Sequence, residues 1–225
     1  MVQHRIATRA EWEAERIALL AKEKELTRRA DALALERQAL PWVRLEHDYV
    51  FDTEFGSRTL KDLFENRTQL IVYHFMLGDG WEAGCPSCSF WADNFDGIGM
   101  HLAARDVTFM AASIAPLKQI LAFRDRMEWS FPWISTAGTT FNLDFEVSGS
   151  TRHNYRQTTT PIGESPGVSA FALEDGVVYH TYSSFQRGLE VFNGAYHLLD
   201  IAPRGRDESG PDGKMDWVRH HDSYN

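Results

Sequence analysis

Hydrophobic and polar positions fall into two regimes along the chain. Residues 8 to 40 mix charged residues with apolar ones, and a large apolar residue recurs in every seventh place: Trp12, Leu19, Leu26, Leu33 and Leu40. Thr8 and Glu11 have the spacing of a capping box and Pro41 closes the run, so one long helix is predicted. The positions three residues before the stripe (Arg9, Arg16, Glu23, Ala30 and Arg37) are mostly polar, so half of a coiled-coil seam is missing. The pattern fits an amphipathic helix lying across its own domain or a sister subunit, and the partner expected through it is a second copy of the chain.

After Pro41, short apolar runs alternate with helical ones. "DYVF" predicts a strand, and "TLKDLFENR" a helix opened by Thr59 and Asp62 in capping spacing. "QLIVYHFM" (69 to 76) is continuous and rich in β-formers, as in a central strand covered on both faces. A helix is expected over residues 86 to 95, a buried strand over 107 to 114, and a helix from "APLKQILAFRDRMEW" with Pro116 in its first turn. "FPWIS" reads as a short strand or turn. Residues 136 to 166, rich in Thr, Gly, Ser and Asn, form a long excursion. "GVSAFALE" and "GVVYHTYS" are two strands joined by Asp175-Gly176, a strong hairpin signal. A last helix covers about 188 to 200. The polar tail is expected to be an ordered arm, because Trp217 and Tyr224 need packing partners.

The expected organisation is a helical extension over 1–40, a main domain over 41–203 and an arm over 204–225. The order β-α-β-α-β-α, then a hairpin and a helix, defines an α/β fold: a mixed sheet with helices on both faces. With 225 residues, 43% of them hydrophobic and 24% charged, the chain has the composition of a soluble globular protein. A formal charge of −9 without a basic stripe argues against nucleic acid as a partner. No apolar run is long enough to span a membrane, and the first twenty residues lack a secretory signal's apolar stretch. A cytoplasmic location and no membrane partner are expected.

The chemistry concentrates in "GDGWEAGCPSCSFWADNF" (78 to 95), which holds Cys85 and Cys88, the only cysteines. In a reducing compartment a permanent structural disulfide is not expected, and closing so small a loop contributes only about 2 kcal/mol. Pro86 has no N–H to lose and a φ preset for a first helical position, so Cys85 should sit at a helix's N-terminal edge. There, free amides and the helix dipole favour the thiolate, the reactive form. Cys88, one turn on, is deeper and suited to resolve a mixed disulfide. Trp81, Phe90 and Trp91 flank the pair as a cover or lip, or, for Phe90 and Trp91, as the core face of the helix. A zinc site needs two further ligands, and no second C-x-x-C exists. His74 and His101, the nearest histidines, read as packed or surface side chains. A redox pair without a cofactor is the favoured reading; a metal-binding or partner-docking module is the alternative. His180, Tyr182 and Arg187 follow the hairpin and are candidates to approach the cysteine loop, but for His180 and Tyr182 packing on a strand face is the favoured reading.

A strand, a loop and then Cys-Pro is also similar to peroxiredoxins, whose pattern sets a Thr or Ser three residues before the reactive cysteine and a Pro seven before. Here those places hold Glu82 and Gly78. The hydroxyl that positions a peroxide is absent, so peroxidase activity is not expected.

"LPWVRLEHDYVF", "QLIVYHFMLG", "GCPSCSFWADNFDG", "SIAPL", "FPWIS", "FNLDF", "VYHTYSSFQRG" and "HLLDIAPRGRDE" together resemble the bacterial thioredoxin-like family labelled domain of unknown function 899. That family is described as predicted dithiol-disulfide oxidoreductases. The resemblance implies a thioredoxin-like fold and carries the C-P-S-C pair onto Cys85 and Cys88 as catalytic residues, with a protein or small-molecule thiol or disulfide as substrate. Thioredoxin-like folds place a cis-proline beside the reactive sulfur. Pro166, just before the first hairpin strand, is expected to be that proline, with Pro132 the competitor. Pro86, Pro166 and Trp81 complete the expected site.

Overall fold

In the computed structural model, which describes residues 4–209 and 214–224, α1 (Arg9–Gln38) is one uninterrupted helix. Thr8 begins it: the Thr8 hydroxyl accepts from the Glu11 N–H at 3.3 Å, and the Glu11 carboxylate accepts from the Thr8 N–H at 2.8 Å. Arg9–Glu13 and Arg29–Glu25 pairs, one turn apart, support its flanks. None of its residues is buried, and Trp12, Leu19, Leu26, Leu33 and Leu40 are all exposed. The chain divides into two compact units, Met1–Pro41 and Trp42–Asn225.

The second unit contains the ten strands found among the described residues. In chain order they are β1 (Val43–Arg44), β2 (Val50–Thr53), β3 (Gly56–Thr59), β4 (Gln69–His74), β5 (Val107–Ser113), β6 (Trp133–Ser135), β7 (Arg152–His153), β8 (Arg156–Gln157), β9 (Gly167–Glu174) and β10 (Val177–Phe185). Eight of them form one sheet in the order β1-β10-β9-β4-β5-β6-β2-β3, while β7 and β8 pair separately. β4, β5 and β6 run parallel; every other pairing is antiparallel. The crossovers carry α2 (Pro86–Ala92), α3 (Gly99–Ala103) and α4 (Leu117–Arg126); α5 (Phe141–Asp144) lies in the excursion and α6 (Gly194–Ile201) follows the hairpin.

Alternation along β4 explains the two-sided core. Tyr73 and the following Phe75 face a cluster with Cys88, Phe90, Trp91, Ile120, Phe123 and Trp133. Leu70 and Val72 face a second cluster with Phe51, Phe64, Met110, Phe141 and Phe171. The Asp175-Gly176 turn closes the β9–β10 hairpin with both residues left-handed, at φ 50° and 78°. The predicted mixed sheet with helices on both faces is the fold observed.

Local differences from the sequence expectations have clear causes. In "TLKDLFENR" Thr59 ends β3 and does bond to Asp62, but only a 3-10 turn, Asp62–Phe64, follows. Glu65 and Asn66 take positive φ (50° and 66°) and turn the chain straight into β4. The helix after Cys85 ends at Ala92, and its C-cap residue Asp93 accepts from the Trp129 indole at 2.8 Å. The last helix is split: a 3-10 segment, Gln186–Phe192, precedes α6. The break is Asn193, fully buried, whose side chain caps α6 by accepting from the Tyr196 N–H at 3.0 Å. Pro116 is the N-cap of α4, one residue before its first turn. In the arm, Trp217 and Tyr224 remain 37% and 48% exposed. Val218 is the buried anchor at 4%.

Candidate active site

β4 delivers the chain at Phe75 and Met76 to a loop that returns at Cys85, where the Cys85 N–H donates to the Met76 carbonyl at 3.0 Å. Gly84 is required at this return. A Cβ there would lie 2.5 Å from the Phe75 ring and 2.6 Å from the Phe123 ring. One side chain closes the loop: Gln119 of α4 donates to the carbonyls of Gly78 and Trp81, both at 2.9 Å. Trp81 is 41% exposed and lies against Gly78, where a Cβ would meet its indole nitrogen at 2.7 Å.

Cys85 is the N-cap of α2 and Pro86 its first residue, with extended backbone at Cys85 (φ −58°, ψ 126°). Both thiols are free. Cys85 is half-buried and Cys88 is 2% exposed. The Cys88 side chain hydrogen-bonds the Cys85 sulfur, and the N–H groups of Cys88 and Ser87 and the Ser87 hydroxyl add to it. Against the opposing effect of burial, these donors bring the Cys85 thiol down to about 6. Burial pushes the Cys88 thiol well up, and its bond to Cys85 keeps it protonated. The buried Tyr73 hydroxyl, also raised by burial, donates to the Cys88 carbonyl at 3.2 Å. Two identical side chains one turn apart are thus driven in opposite directions.

A cleft of about 240 Å³ opens beside the pair, lined by Met76, Trp91, Pro166, Leu189 and Met215 together with both cysteines. Gln186, Arg187 and Glu190 also border it. Trp91 fixes one wall by donating to the Leu189 carbonyl at 2.7 Å. Gln186 holds a positive φ of 50°, which a non-glycine residue adopts at a cost. Trp81 does not line the cleft. A larger hollow, about 490 Å³, lies at the β2–β3 hairpin and includes Arg58 and Lys61, but neither cysteine.

The expected cis-proline is corrected. Pro166 borders the cleft, but its peptide bond is trans, because no peptide bond is cis among the described residues. The trans bond, the lower-energy form, leads directly into β9, with the Ser165 N–H anchored on the Val147 carbonyl at 2.8 Å. For His180 the packing reading holds, and the ring does not approach the cysteines. Its ring packs on Phe145 and Phe171, in the core cluster on the opposite face of the sheet. There it ends a hydrogen-bonded row: His180 Nε2 to Ser183 Oγ at 2.7 Å, Ser183 Oγ to Ser169 Oγ at 2.8 Å, and Ser169 Oγ to His74 Nε2 at 2.8 Å. Of the three residues proposed from that segment, Arg187 alone borders the cleft; Tyr182 stays in β10, paired with Ala170 across a bulge.

The sequence reading missed Ser87, Gln119, Met215 and His220. The last belongs to the arm, and its Nε2–H donates to the Gly84 carbonyl at 2.8 Å. His221 bonds Asp93 at 2.7 Å, so the arm holds residues at both ends of α2. Only Ser87 had a local signal, its place inside the C-P-S-C motif. Among the described residues no group of three or more His, Cys, Asp or Glu side chains is placed to hold a metal ion.

A mixed sheet whose central strand feeds a Cys-Pro helix start is a thioredoxin-like fold. Two solved structures agree on the fold. Two structures of peroxiredoxin Q from Xanthomonas campestris superimpose with TM-scores of 0.51 and 0.50, each 11% identical. The first covers 72% of this chain and 97% of that one; the second covers 68% and 94%. Peroxidoxin BcpB from Mycobacterium tuberculosis gives 0.47 at 18% identity, covering 72% and 97%. No curated protein sequence matches the chain. The chain belongs to the family described as "Bacterial protein of unknown function (DUF899)", whose model matches residues 1–224. No helix among the described residues is long and apolar enough to cross a membrane.

Proposed function

We propose that this protein is a dithiol–disulfide oxidoreductase that works through Cys85 and Cys88. The observation that carries the reading is the placement of the two thiols: Cys85 is half-buried at the N-cap of α2 and Cys88 is buried one turn on, both bordering one cleft, with Cys85 lowered to about 6 and Cys88 raised. At neutral pH Cys85 is a thiolate at the mouth of a cleft, ready to attack a disulfide sulfur. Cys88 keeps its proton until a mixed disulfide on Cys85 removes the thiolate that it stabilises. Its attack then closes the Cys85–Cys88 disulfide and releases the second product thiol. Pro86 spares the helix start an unsatisfied donor, and Pro166 borders the cleft where a mixed disulfide would lie.

Dithiol exchange is preferred to peroxide reduction because Glu82 is exposed and Gly78 lies under Trp81, leaving neither residue to position a peroxide. The test is thiol titration with mass measurement before and after a disulfide oxidant. The expected result is loss of two thiols and two mass units, reversed by dithiothreitol, and a stable mixed disulfide on Cys85 in Cys88→Ser. An unchanged thiol count, or an adduct on Cys88 in the wild type, would sink the reading.

A further inference from the structure

The cleft beside Cys85 has a chemical character that narrows what enters it. Its walls are the thioethers of Met76 and Met215, the Trp91 ring, Pro166 and Leu189. The bordering charges are already committed to one another. Arg187 Nε lies 2.9 Å from Glu190 Oε1, and Glu190 Oε2 lies 3.3 Å from Arg206. Arg206 also reaches Asp200 at 2.6 Å and stacks on the Tyr196 ring at 3.9 Å. An anionic substrate would compete with Glu190 for Arg187, whose side chain is 73% exposed at the rim, and a cationic one would have to take the less exposed Glu190 from two arginines. A buried charge without a partner is costly, whereas an apolar group gains roughly 0.8 kcal/mol per CH2 removed from water. The cleft is also smaller than the 300–1,000 Å³ usual for drug-sized ligands, so a short substituent fills it.

Resting on the exchange reading above, we infer that the substrate class is a small uncharged disulfide, RSSR, with apolar substituents, one of which sits between Met215, Leu189 and Trp91. The Cys85 thiolate attacks the sulfur carrying the seated R group, forming Cys85–S–S–R and expelling RS−. Cys88 then loses its proton and attacks Cys85, releasing the seated RS−. The protein dithiol gives up two electrons and RSSR becomes two RSH; one proton comes from Cys88 and the other from solvent, which took it when Cys85 ionised.

The experiment compares dipropyl disulfide with bis(2-hydroxyethyl) disulfide, which differ by a methyl against a hydroxyl at each end. Oxidation of the reduced protein is followed by acid quench and thiol count, and each rate is divided by that disulfide's rate with dithiothreitol. The expected normalised preference for dipropyl disulfide is about tenfold, and Met215→Glu should bring that ratio close to one. Because a ratio is read, a general loss of reactivity in the variant cancels. Equal normalised rates in the wild type would overturn the substrate class while leaving exchange intact. So would a preference for oxidised glutathione that Arg187→Ala removes, or faster reduction of a protein disulfide such as that of insulin. If no disulfide oxidises the pair, the exchange reading itself falls.

Discussion

His220, in the C-terminal arm, donates its Nε2–H to the carbonyl of Gly84, 136 residues earlier and immediately before Cys85. The N–H of the same peptide unit donates to the Met76 carbonyl. The Gly84–Cys85 peptide is therefore held at both ends, which fixes the backbone from which the Cys85 sulfur projects towards its donors. Removing one donor from a partly buried bond costs about 1 kcal/mol, or roughly half to one pH unit at a thiol that depends on that geometry. His220→Ala is expected to raise the midpoint of Cys85 alkylation by that amount. His220→Gln, which keeps an N–H donor, should restore most of it. Equal midpoints in wild type and His220→Ala would show that the arm bond does not tune the thiol.

The contrast between the cysteines predicts a pH profile. Iodoacetamide should label Cys85 with an inflection near pH 6, while buried Cys88 stays unlabelled in the folded protein. The largest influence on Cys85 is the Cys88 side chain, so Cys88→Ala should move the inflection upward towards 9, whereas Cys88→Ser retains a donor and shifts it less. Peptide mapping of the labelled protein identifies the site at each pH.

His180 predicts the opposite split. It lies in the core cluster facing away from the thiols, so His180→Ala should leave the alkylation profile of Cys85 unchanged. It removes the end of a row of three hydrogen bonds, and the Ser183 hydroxyl loses a partner, a loss of about 1–3 kcal/mol in urea unfolding. A tenfold fall in exchange rate by a folded variant would contradict its placement.

His74 adds a pH dependence to stability. Burial lowers its pKa from 6.5 to about 3, with His180 adding to the effect. The unfolded chain takes up a proton below pH 6.5 that the folded chain refuses until about pH 3. Stability from the neutral ring is therefore complete above pH 6.5 and declines as pH falls through that window. His74→Gln, with no group to titrate there, should show a shallower loss of urea midpoint between pH 6.5 and 4 than the wild type.

Much of the fold around the candidate site was legible because its signals are local. Pro86 after Cys85 marks the helix start, Asp175-Gly176 marks the hairpin, and the apolar run at 69–76 marks the strand feeding the loop. The remainder depends on residues far apart in sequence. Nothing in "VRHHDSYN" states that His220 meets Gly84, nor in Gln119 that it spans the carbonyls of Gly78 and Trp81. The Thr59–Asp62 pair carries a true capping signal, yet the left-handed Glu65 and Asn66 stop the turn after three residues. Asn193 inside an apolar run reads as helix interior until its burial and its bond to Tyr196 make it a cap. The expected cis bond at Pro166 came from fold analogy, and the local path into β9 accommodates trans.

The row from His74 to His180 has a direction. Its three links need three protons, and the Ser169 and Ser183 hydroxyls supply two. Each imidazole, kept neutral by burial, has one N–H to offer. His180 gives its own to the Tyr182 backbone, so its Nε2 accepts from Ser183, Ser183 accepts from Ser169, and Ser169 accepts from His74. His74 is then the Nε2–H tautomer, and its Nδ1, buried without a partner among the described residues, is a bare lone pair. Neighbouring strands β4, β9 and β10 thus share one electrical polarity, set by a carbonyl at its far end, and no member of the row can reverse unless the others reverse with it.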